Sequence, residues 1–172
     1  MTTFARTTLT AFAEQPRRYS HSPISRHFSC FLGAMAAHVE SERDIETVDS
    51  FDPAVMAWHR DAEVARGNVI GLINAIQDAE IARIEDVPLK RMAMLTLVMI
   101  ESDNTFGFQR SFSFLETHSD YFACPGTSAV ARRVQQMLRT ARDRLQDLHD
   151  LTTYVDPLEI PEDADDSIVL TN

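Results

Sequence analysis

The stretch from Asp52 to Arg83 limits most strongly what this chain can fold into. Val55, Trp58, Ala62, Ala65, Val69, Leu72, Ile73 and Ile76 recur at spacings of three and four. At roughly 100° per residue they fall on one stripe of a single long helix. Asp52 is suited to accept unpaired N–H groups of the first turn, and Pro53 fits the first helical position, where no N–H is needed. Trp58, the chain's one tryptophan, lies in that stripe and is expected to anchor the core.

The back of the same helix carries a Gly67-x-x-x-Gly71 step, with Met56 and Val64 pointing roughly the same way. A glycine inside a helix costs about 1 kcal/mol relative to alanine. Close approach of a second backbone is one physical reason to accept that cost. Gly67, Gly71, Met56 and Val64 are therefore candidate contact residues, toward a neighbouring helix or a second subunit. The competing reading is a solvated face that tolerates two glycines.

Three further helices complete the pattern. Ser22–Pro23 is a start signal, and Ile24, Phe28, Phe31, Leu32, Met35 and Val39 form a stripe to about Glu42. Asp86 with Pro88 marks another start, and from Leu89 to Ile100 apolar residues cover nearly the whole circumference, which predicts burial on most sides. Beyond Glu101, Phe106, Phe108, Phe112 and Phe114 alternate as in a strand, while Phe108, Phe112 and Leu115 suit a helix. In a chain otherwise helical, a helix bent near Gly107 is expected. Pro125–Gly126–Thr127 breaks the chain and caps the last helix, whose stripe is Val130, Val134, Met137, Leu138, Ala141, Leu145, Leu148 and Leu151.

These elements predict an all-α fold, a four-helix bundle. A short N-terminal helix over residues 2–15 is laid against it. Residues 1–155 are read as one domain, consistent with a length of 172. Residues 156–172 are read as a flexible C-terminal tail, acidic up to residue 166 and ending on Ile168, Val169 and Leu170. Residues 1–39 have the Ser/Thr- and Arg-rich, acid-poor composition of a transit peptide, but the apolar pattern runs through residue 39. Cys30 and Cys124 lack metal spacing and do not make a disulfide framework, so a reduced, cytoplasmic setting is expected. A net charge of −10 argues against general binding to nucleic acid or anionic membranes. The longest apolar run, Met92 to Ile100, is too short to cross a bilayer.

Chemistry has few places to sit. His38 with Glu42, and His59 with Glu63, each place a histidine and a carboxylate four residues apart on one helix face. If the two helices run antiparallel, the pairs come to similar height and offer a ligand set for zinc or iron. Solvated helix ends explain the same residues. Glu101 and Asp103 follow the most apolar run, where a carboxylate can be partly desolvated. His59 resembles a phosphorylatable histidine on a bundle, but Glu63 in the next turn opposes a phosphate. Phe106, Phe108, Phe112 and Tyr121 are candidates to line a pocket for an apolar small molecule, with core packing as the alternative. No nucleophile elbow, catalytic cysteine context, Walker A or dinucleotide glycine pattern is present, so no catalytic residue is assigned. The sequence thus points to a non-catalytic, adaptor-type helical protein that binds another protein, with a homodimer as one form. A metal-binding bundle and a sensor of an apolar small molecule are the alternatives.

Overall fold

The computed structural model describes residues 20–47, 55–102 and 104–151. Among them are five α-helices, one short 3-10 turn and no strand: α1 (Pro23–Thr47), α2 (Val55–Asp78), α3 (Asp86–Ile100), α4 (Thr105–Thr117), the 3-10 turn Ser119–Phe122, and α5 (Ala129–His149). The N-terminal helix over 2–15, the Asp52–Pro53 start signal, Asp103 and the tail from 156 lie outside the described residues.

Capping chemistry sets several ends. The Ser22 hydroxyl accepts the Ser25 N–H, and Pro23 opens α1, as the start signal required. The Asn104 side chain accepts the Gly107 N–H at 2.8 Å and starts α4. Ser128, rather than Thr127, caps α5 by accepting the Ala131 N–H at 2.9 Å. Gly126, in the preceding turn, has φ of 101°, a left-handed conformation that glycine adopts without penalty.

The core is one continuous cluster. It takes Ile24, Phe28, Phe31, Met35 and Val39 from α1, Val69, Ile73 and Ile76 from α2, and Leu89, Met92, Ala93, Met99 and Ile100 from α3. Phe108, Phe112 and Leu115 of α4 and seven residues of α5 join it, the latter running from Ala131 to Leu148. α1 packs most extensively on α2, and α5 packs on α1 and α3, with α4 against α3 and α5. Arg66 Nη2 donates to the Ile100 carbonyl, and Gln77 Nε2 to the Lys90 carbonyl, so α2 and α3 run antiparallel. Arg142 Nη2 on the Leu115 carbonyl and His149 Nε2 beside Gln109 show the same for α4 and α5.

Four sequence expectations are corrected. The long helix ends at Asp78, not Arg83. Residues 79–85 turn instead, because Asp86 is fully buried and accepts the Ala82 N–H, the Ser22 hydroxyl and the Arg83 guanidinium. The phenylalanine segment is a separate helix, and its break falls at 101–104, before Gly107. Trp58 is not a core anchor: 36% of its surface is exposed, and the inward positions of that part of α2 are held by Ala62 and Ala65. α3 is not enclosed, since Met94 and Val98 are 47% and 50% exposed on its outer side.

Candidate functional site

The upper end of the α1–α2 pair holds the first candidate. His38 is fully buried on α1, and neither ring nitrogen has a hydrogen-bond partner. Its Nδ1 is 3.7 Å from Glu42 Oε1, beyond hydrogen-bond length. Burial chiefly, with the Arg66 guanidinium second, lowers its pKa to about 4, so the imidazole is neutral at neutral pH. Burial raises the pKa of Glu42, against the opposing pull of His59 and Arg66, while Glu46 and Glu63 add to the rise. The structure thus brings Glu42 into the electrostatic reach of His59 and Glu63, as antiparallel pairing requires. It does not converge them on an ion. His59 and Glu63 are exposed, and among the described residues no group of three or more His, Cys, Asp or Glu has the geometry to hold a metal. That the charge of Arg66 acts on both His38 and Glu42 is revealed only by the helix pairing.

The outer side of the α2–α3 pair is the second. A β-carbon built on Gly67 or Gly71 meets nothing within 4 Å, so no helix of this chain approaches them among the described residues. Val64 and Met56 are 58% and 78% exposed. The register fixed by Arg66–Ile100 and Gln77–Lys90 puts the two glycines level with the last two turns of α3. Helical periodicity turns Met94 and Val98 to that same outer side. Half-buried Ile70 and Leu97 lie between the two edges and pack against the core below. The outer α2–α3 groove, as this register lays it out, has Gly67 and Gly71 on one side and the exposed Met94 and Val98 on the other. Met56 projects past the end of α3.

A third feature is a cavity of about 360 Å³ where α3, α4, the 3-10 turn and α5 meet. It lies beside the Cys124–Pro125 loop, and its wall is not the Phe106, Phe108, Phe112 and Tyr121 group offered as a candidate pocket. Of the phenylalanine group it is lined by Phe122 alone, together with Met92, Leu115 and Leu138. Phe108 and Phe112 are buried instead, Phe112 stacking on the His149 ring at 4.2 Å. Phe106 is exposed, and Tyr121 faces solvent under the Arg91 guanidinium, 4.1 Å from the ring centroid. The mouth carries Asp120, Gln135, Arg139 and Arg142. Nothing in the spacing of Arg139 and Arg142 along α5 signals a cavity. Cys124 lines it as a free thiol, and burial raises its pKa. Cys30 is free and exposed.

Glu101 is exposed at the end of α3, so it is not desolvated. No helix among the described residues is long and apolar enough to cross a membrane. No protein-family model, curated protein or solved structure matches this chain.

Proposed function

We propose that this protein works by binding another protein molecule, in an adaptor or regulatory role rather than by turning over a substrate. The contact surface is the outer α2–α3 groove, and the partner is a second copy of the chain. The observation that carries this reading is the open space over Gly67 and Gly71 beside the exposed ridge of Met94 and Val98. A two-fold axis parallel to the helices places α2 of one copy over α3 of the other at unchanged height. Each ridge then enters the partner's glycine notch, which is the self-complementarity an isologous dimer requires. Small residues allow the close backbone approach, and burial of Met94 and Val98 supplies apolar contact. Two free thiols fit a reducing compartment such as the cytoplasm.

Light scattering coupled to size-exclusion chromatography tests the reading. The wild type is expected at twice the mass of 19.4 kDa. Gly67→Leu and Val98→Glu, both at open positions, are expected to give monomers with unchanged helical circular dichroism. A wild type that stays monomeric at tens of micromolar, or a dimer indifferent to both substitutions, removes the groove from consideration.

A further inference from the structure

We propose that the cavity between α3, α4 and α5 is a binding site for a small carboxylate with an apolar body, selected by the Arg139 guanidinium. This site is separate from the α2–α3 groove and does not depend on dimerisation.

The floor is apolar: Met92, Leu115, Phe122 and Leu138 are each at most 6% exposed, yet all four border the space. A volume of about 360 Å³ equals that of roughly a dozen waters, or a ligand of about ten non-hydrogen atoms. It falls within the lower range of small-molecule pockets, about 300–1,000 Å³. The lining also carries the polar side chains of Ser119, Asp120, Gln135, Arg139 and Arg142. The Gln135 amide is occupied, donating to the carbonyls of Cys124 at 2.8 Å and Gly126 at 3.1 Å, so it fixes the loop rather than a ligand. Arg142 is half committed. Its Nη2 donates to the Leu115 carbonyl, while its Nε is buried without a hydrogen bond, 3.4 Å from Glu116 Oε1. Arg139, one turn away on α5, has no hydrogen-bond or ion-pair partner among the described residues.

An unspent guanidinium at the mouth of an apolar cavity recognises a carboxylate by charge-assisted hydrogen bonds while the hydrocarbon fills the floor. Asp120 also lines the cavity and opposes an anion, so the two charges must act with opposite sign on affinity. Cys124 in the same wall provides a built-in reporter: its thiol is buried, so labelling depends on local openings that a ligand in the cavity suppresses.

The test uses octanoate, which has ten non-hydrogen atoms, against octan-1-ol as the uncharged control. Labelling of Cys124 by a disulfide reagent is followed in a Cys30→Ser background, alongside binding by calorimetry. Octanoate at millimolar concentration is expected to slow labelling several-fold and to raise the melting temperature, with octan-1-ol much weaker. Arg139→Gln is expected to weaken octanoate binding about tenfold, and Asp120→Asn to strengthen it. Both positions are exposed, and the melting temperature without ligand checks that each variant is folded. Three results would overturn the proposal. One is the absence of octanoate binding at millimolar concentration. The second is binding without protection of Cys124, which places the ligand elsewhere. The third is equal protection by octan-1-ol or in Arg139→Gln, which leaves a greasy hole with no selection for the anion.

Discussion

His38 has no exposed surface, and both its ring nitrogens lack partners. A buried polar group in that state costs about 1–3 kcal/mol, so His38→Leu, which keeps the volume and removes the nitrogens, is expected to stabilise the fold by about 1 kcal/mol or more. Urea denaturation at pH 7 measures this directly, and a loss of stability would count against the orphaned imidazole. The pH dependence has a definite sign. With its folded pKa lowered from 6.5 to about 4, His38 takes up a proton more readily in the unfolded chain. Its contribution is constant above pH 6.5 and stability falls as the pH drops toward 4, by at most about 1.4 kcal/mol per pH unit. Glu42 acts the other way. Its raised pKa means the folded state holds the proton more tightly, so its term favours folding as the pH falls toward 4.5. Glu42→Gln is therefore expected to steepen the acid limb and His38→Leu to flatten it, read from denaturation midpoints between pH 4 and 7. A limb unchanged in His38→Leu would place the acid sensitivity elsewhere.

The glycines divide by element. On α2, Gly67 and Gly71 stand in open space, so Gly67→Ala is expected to raise monomer stability by up to about 1 kcal/mol through helix propensity alone. In α4, a β-carbon on Gly107 would stand 3.0 Å from Ser102 Oγ and 3.2 Å from its Cβ. Gly107→Ala requires Ser102 to give way by a few tenths of an ångström and is expected to destabilise, although alanine is the better helix former. Thermal melts of the two variants in the monomeric Val98→Glu background should shift in opposite directions, and a common sign would contradict this division. Ser128→Ala removes the α5 cap and is expected to cost about 1 kcal/mol. These elements also show how far the pattern could be read. The α5 stripe is buried nearly as written, and Phe108, Phe112 and Leu115 chose the helix over the strand. The α3–α4 break was misplaced because Gly107 is the better helix breaker on paper, whereas Asn104 makes the cap.

At the scale of the molecule, one buried carboxylate ties distant parts of the chain. Asp86 accepts the hydroxyl of Ser22, 64 residues away, while Arg83 reaches both Asp86 and the Ser25 hydroxyl. This joins the start of α1 to the α2–α3 connection. Asp86→Ala removes the acceptor of the Ser22 hydroxyl and the Ala82 N–H and one partner of Arg83, and is expected to cost about 3 kcal/mol, measurable by chemical denaturation. A loss below about 1 kcal/mol would mean the junction holds without it. The sequence by itself determined that the fold is helical and which stripe each main helix buries, because 3.6-residue periodicity and local caps are properties of neighbouring residues. The same local rules located His38, Glu42, His59 and Glu63 without showing whether they converge. Tertiary structure alone decided that Trp58 stays at the surface, that α3 keeps an open apolar side, that α2 stops at Asp78, and that Arg139 borders a cavity. Each of these depends on which helix lies beside which, and a one-dimensional pattern carries the direction of a face but not what stands opposite it.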